Sequence, residues 1–146
     1  MRVLVIEDNP LKRDKIVEFL GGRAITDLQE AASYNSGFTV ASENIFDLII
    51  LDMSMPTFDR SDTTHGGRFR AVAGKEIARR LKKAGKLVPF VVLTGYTDFS
   101  TDSQNLSIEQ IDVLLSELGE CYRGCVFFDS TNSQWEEKLT QVIETL

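Results

Sequence analysis

Apolar residues gather in short unbroken runs along this chain: Val3 to Ile6, Leu48 to Leu51, Val88 to Leu93 and Val126 to Phe128. None of them alternates with polar residues. A strand with one wet face shows period-two alternation, so continuous runs predict strands buried on both faces, as in a parallel sheet. Ala24 to Gln29 reads as a weaker strand.

Helical spacing fills the gaps. Pro10 to Leu20 is stopped by Gly21-Gly22, Ser33 to Glu43 forms a second segment, and Lys75 to Lys83 places Ile77, Ala78, Leu81 and Ala84 on one face. Later, Ile108, Ile111, Leu115 and Leu118 form one stripe and Trp135, Leu139, Val142 and Leu146 another, the latter approached through Thr131-Asn132-Ser133. Strand and helix alternate five times. That order predicts an α/β domain with a single parallel sheet covered on both faces, its ligands bound beyond the carboxyl ends of the strands.

Two stretches exceed the two to six residues typical of such connections. Thr57 to Ala73 is polar and arginine-bearing, and Gly95 to Ser107 is polar and follows the fourth strand. Both read as loop insertions, at about 57–73 and 95–107, within one domain spanning 1–146.

At 146 residues, 42% of them hydrophobic, the chain suits one domain, and no effector domain is expected beside it. The formal charge of −6 disfavours nonspecific binding to nucleic acid. Its distribution is uneven. Residues 1–59 carry 5 basic and 10 acidic side chains, 60–86 carry 9 and 2, and 97–146 carry 2 and 10. The basic centre reads either as a solvated helix face or as a partner-docking loop. No apolar stretch approaches membrane-spanning length and no signal peptide is evident, so a cytoplasmic protein without membrane contact is expected. Cys121 and Cys125 lack a second Cys/His pair, and two reduced thiols are expected, at least one of them buried.

Candidate chemistry sits at strand ends. Glu7-Asp8 follow the first strand and Asp52 follows the third, so adjacent strands would bring three carboxylates to one edge. Such crowding resists joint ionisation unless a cation neutralises it, and an oxygen-lined acidic pocket suits Mg2+. Thr94 places a hydroxyl at the same edge beside Gly95. Together these groups match phosphoryl chemistry: Asp52 as a nucleophile forming an acyl phosphate, with Thr94 bonding a phosphoryl oxygen. Taken singly, Thr94 reads as a turn residue and Glu7-Asp8 as a cap for the first helix.

The segments Val3-Leu4-Val5-Ile6-Glu7-Asp8-Asn9, Asp47-Leu48-Ile49-Ile50-Leu51-Asp52-Met53-Ser54-Met55-Pro56 and Val91-Val92-Leu93-Thr94-Gly95 resemble the receiver domain of two-component response regulators. The resemblance implies a flavodoxin-like fold with strand order 2-1-3-4-5. It implies Asp52 as phosphoacceptor, Glu7, Asp8, Asp52 and the Ser54 backbone carbonyl as Mg2+ ligands, and Thr94 as the switch hydroxyl. It also implies a histidine kinase or phosphotransfer protein as donor, and output through contacts with a partner protein, so a phosphorelay component rather than an enzyme. His65 has no donor role in that scheme and reads as an exposed loop residue.

One departure stands out. Receivers carry a lysine, followed by proline, at the end of the fifth strand, and ungapped matching puts Phe128 and Asp129 in those places and Cys125 in that of the switch aromatic. Sliding by two or three residues brings Ser130 or Thr131 to the lysine position and Phe127 to the aromatic one, without supplying a cation. Arg60, Arg68, Arg70 and Lys75, from the basic stretch after Asp52, are candidates to compensate. The departure also keeps a second reading open, a pseudo-receiver that works as an interaction module without phosphorylation. A third, an aspartyl-phosphate hydrolase, would place an acid two residues after its nucleophile, where Ser54 stands.

Overall fold

The computed structural model describes every residue except Asp62 and Asp102, which fall inside the two expected insertions. Five parallel strands form the central sheet: β1 (Arg2–Ile6), β2 (Asp27–Ala31), β3 (Leu48–Leu51), β6 (Phe90–Thr94) and β9 (Tyr122–Phe127), in the order β2-β1-β3-β6-β9. Five helices accompany them: α1 (Pro10–Gly22), α2 (Tyr34–Glu43), α3 (Ala73–Lys83), α4 (Ile108–Ser116) and α5 (Gln134–Glu144). Counted within the sheet, this is the expected 2-1-3-4-5 flavodoxin-like order.

Alternate side chains of each central strand enter opposite cores, which explains the unbroken apolar runs. Leu4, Ile6, Ile49, Leu51, Phe90 and Val92 pack with Ala41 of α2, Ile77 and Leu81 of α3, and Ile111 and Leu115 of α4. On the other face Val3, Val5, Leu48, Ile50, Val91 and Leu93 meet Ile16 and Leu20 of α1 and Trp135, Leu139 and Val142 of α5. Both faces are thus covered, and the interiors of β1, β3 and β6 have no face to leave polar.

Several boundaries differ from expectation for local physical reasons. The second strand lies at Asp27–Ala31 rather than 24–29, because it is a sheet edge whose charged residues face water while Ile25 tucks into the core from the preceding turn. The fourth starts at Phe90, after Pro89, which has no N–H to give a ladder. The fifth begins at Tyr122, four residues before its apolar run. Its register against β6 shifts between Phe90 and Val92, and Gly124, at φ 117°, takes up the irregularity. Helix α3 starts at Ala73, two residues before the expected Lys75 and on the last residue of the expected insertion.

Neither insertion is plain loop. β4 (Met55–Pro56) pairs antiparallel with β5 (Phe69–Arg70), and β7 (Asp98–Ser100) with β8 (Asn105–Ser107). Phe99 and Leu106 of the second hairpin are buried in the core beside α4. Cys121 and Cys125 are free thiols and both only half-buried, so the expectation that one would be buried is corrected: Cys125 lies on an edge strand with one side open, and Cys121 directly precedes that strand. No described helix is long and apolar enough to cross a membrane.

Candidate functional site

Three carboxylates meet at the carboxyl ends of β1 and β3. The register Ile6↔Leu51 puts the residues after these two strands side by side, and one oxygen each from Glu7, Asp8 and Asp52 lies within 4.8 Å of the others. Asp52 N–H donates to the Ile6 carbonyl at 3.0 Å and Glu7 N–H to that of Ala31 at 2.9 Å, so the backbone fixes both residues against neighbouring strands. Asp52 and Glu7 are buried, and Asp8 is half-buried. They open onto a cavity of about 570 Å³.

Each carboxylate is individually oriented. Asp52 Oδ1 accepts the Met53 N–H at 2.7 Å, and Glu7 Oε2 accepts the Asn9 N–H at 3.1 Å. The helix cap belongs to Asn9, whose Oδ1 accepts from Leu11 and Lys12 N–H, so capping does not account for Glu7 and Asp8. Burial, reinforced by the nearby Asp52 charge, raises the Glu7 pKa to about 8. Burial also raises that of Asp52, opposed chiefly by the Lys12 ammonium. Oxygen donors crowded in this way form a site suited to a hard divalent cation, because its charge relieves the repulsion.

The other expected residues end or follow the central strands. Ser54 is buried and lines the cavity, and its hydroxyl is committed to the Ala71 carbonyl at 2.6 Å. Thr94 ends β6, is fully buried, and its Oγ1 accepts the Tyr96 N–H at 3.2 Å. Phe128 directly follows β9, lines the cavity and donates its N–H to the Thr94 carbonyl at 2.8 Å. Phe128, and neither Ser130 nor Thr131, is among the residues lining the cavity, and Cys125 stands opposite Val92.

Of the four cations considered from the basic stretch, Arg60 reaches the site, where its Nη1 lies 3.1 Å from Asp8 Oδ2. Arg70 instead pairs with Glu76 at 2.9 Å and stacks over Tyr34, and Arg68 lines a neighbouring cleft with it. Lys75 is half-buried on α3 and His65 is exposed.

The residue that sequence reasoning missed is Lys12. Its side chain is 8% exposed, and its Nζ lies 2.5 Å from Glu7 Oε1 and 3.4 Å from Asp52 Oδ1, and donates to the Leu93 carbonyl at 2.6 Å. Glu7 Oε1 has no aligned donor, so that contact is a close approach without an oriented hydrogen bond. A signal for it existed: Lys12 precedes Ile16 and Leu20 by four and eight residues, on the buried stripe of α1.

Known proteins resemble this chain in sequence and fold. A profile of the response regulator receiver domain matches residues 3–118, ending before β9. The chain is similar to the Detocs response regulatory protein DtcB of Enterobacter cloacae, with 26% identity and full coverage of both chains. Among solved structures, a CheY-like receiver domain protein from Methanospirillum hungatei superposes with a TM-score of 0.67 at 17% identity, covering 99% of this chain and 90% of the other. Response regulator TrrA of Thermotoga maritima, solved with Mg2+ and beryllofluoride, gives 0.65 at 21% identity, with 97% of each chain covered.

Proposed function

The chain belongs to the response regulator receiver domain family, and we propose on that premise that Asp52 accepts a phosphoryl group from a phosphohistidine of a histidine kinase or phosphotransfer protein. A single observation carries this reading: Asp52, a buried carboxylate at the end of a central strand, shares its cavity with two further carboxylates.

In the transfer, an Asp52 carboxylate oxygen forms a bond to phosphorus as the P–N bond of the donor breaks. The imidazole nitrogen keeps the electron pair and the product is an acyl phosphate. Met53 N–H holds the carboxylate in orientation throughout. Glu7, Asp8, Asp52 and the Ser54 carbonyl are the proposed Mg2+ ligands, the Ser54 hydroxyl being already engaged. Bound there, Mg2+ supplies charge neutralisation for the phosphoryl oxygens. Thr94 keeps its hydroxyl proton to donate, since its oxygen accepts from Tyr96 N–H, and it is the proposed switch hydroxyl.

Signalling then proceeds by contact with an output protein, and the chain acts as a cytoplasmic phosphoryl-accepting component rather than as an enzyme turning over a substrate. Phe128 at the cavity favours a second reading, an interaction module that does not cycle through phosphorylation. Exposure to Mg2+ and acetyl phosphate separates the two by mass spectrometry: a phosphoryl adduct present in the native protein and absent from Asp52→Asn is expected. No adduct, together with no Mg2+ binding, would leave the interaction module as the better reading.

A further inference from the structure

We propose that Lys12 supplies, from the first turns of α1, the ammonium that contacts the phosphoryl group on Asp52, a role that the strand-end position occupied by Phe128 cannot fill. The inference rests on Asp52 being the phosphoacceptor.

Three observations converge on Lys12. First, its ammonium is almost wholly removed from water yet lies between the two buried carboxylates, 2.5 Å from Glu7 and 3.4 Å from Asp52. Second, it is anchored: the hydrogen bond of 2.6 Å to the Leu93 carbonyl ties the tip of a flexible side chain to β6. An ammonium has three N–H donors. One bonds the Leu93 carbonyl, and the other two remain for the carboxylate oxygens of Glu7 and Asp52 crowded about Nζ and for phosphoryl oxygens carried on Asp52. Third, the Phe128 ring, 5.6 Å from Nζ, walls this charge with apolar surface, and Phe128 is itself packed on Trp135 at 5.0 Å between ring centroids. A fixed cation in a poorly solvated site stabilises developing anionic charge far better than one in water.

The arginines nearby do not offer the same placement. Arg60 is half exposed and paired with Asp8, and Arg70 is turned to Glu76. Phe128 and Lys12 therefore form a complementary pair, in which an aromatic side chain from β9 lies beside a cation from α1.

A merely structural Lys12, present to neutralise Glu7, would also fill this space, so the test must separate the two roles. Phosphorylation by acetyl phosphate with saturating Mg2+ is measured for the native protein, Lys12→Met, and Lys12→Met combined with Phe128→Lys. Labelling on Asp52 in the native protein, at least tenfold slower in Lys12→Met, and restored to within about threefold by Phe128→Lys is expected. A Lys12→Met protein labelled at the native rate, or slowed without any rescue while folded, overturns the inference and leaves the receiver reading standing. Absence of labelling in the native protein overturns both. A second measurement needs no variant: in 15N-lysine-labelled native protein with Mg2+, the Lys12 ammonium resonance should shift on addition of beryllofluoride. An unchanged resonance while beryllofluoride binds counts against the contact.

Discussion

Gly74 sits against the Asp52 backbone so closely that a β-carbon on it would lie 2.5 Å from the Asp52 carbonyl oxygen. Its N–H donates to the Met53 carbonyl at 2.9 Å, so the start of α3 is docked directly onto the strand end that carries the phosphoacceptor. Backbone, unlike a flexible side-chain tip, cannot yield cheaply to an added methyl. Gly74→Ala should destabilise the fold by about 1–3 kcal/mol and slow Asp52 phosphorylation. Gly22→Ala, where a β-carbon would meet nothing within 4 Å, is the control and should be near neutral in the same denaturant titration.

A raised Glu7 pKa has a definite consequence for stability against pH. The folded protein holds the proton up to about pH 8, whereas the ordinary value is 4.5, so between these limits the folded state binds more protons than the unfolded one. Stability from this group is therefore full below about 4.5 and declines as pH rises toward 8. In metal-free buffer the melting temperature should fall over that window, and Glu7→Gln should flatten the decline by at least a few degrees. Added Mg2+ should stabilise more at pH 8 than at pH 5, because it competes with protons for the same oxygens. Equal stabilisation at both pH values would contradict the assignment of Glu7 as a ligand.

What the residues announced and what they concealed follows from how much of each signal is local. β1, β3 and β6 were readable because burial on both faces leaves continuous apolar runs, and Glu7, Asp8 and Asp52 because they directly follow those runs. β2 was misplaced since an edge strand carries charge, and the β4–β5 and β7–β8 hairpins are two and three residues per strand, too short for periodicity. Lys12 was hidden for a different reason. A lysine on a helix ordinarily marks the wet face, and its partner Leu93 is 81 residues away, so the contact exists only once the sheet has formed.

Cys125 should be a sluggish nucleophile despite being a free thiol. Burial first, and then the charges of Asp112 and Asp52, push its pKa up to about 12 from an ordinary 9.0. The thiolate is the reacting species, so iodoacetamide at pH 8.5 should modify Cys125 at least tenfold more slowly than a fully exposed cysteine in a short peptide. Peptide mapping of time points gives the rate directly. Modification at the peptide rate would mean that the edge at β9 opens far more than its packing indicates.

Arg60 provides a last check on how cations share the acidic cavity. It reaches Asp8 from the β4–β5 hairpin, but its side chain is 53% exposed, so the pair contributes at most about 1 kcal/mol to stability. Arg60→Ala should accordingly leave the unfolding midpoint nearly unchanged. Its effect on the site should be opposite in sign: Asp8 loses a competing cation, and Mg2+ should bind more tightly by up to about fivefold, with the gain shrinking as ionic strength rises. Trp135, the single tryptophan, reports on this without a label, because it packs on Phe128, which lines the cavity. A fluorescence titration with Mg2+ that weakens on Arg60→Ala would instead show that the arginine helps hold the ligands in place.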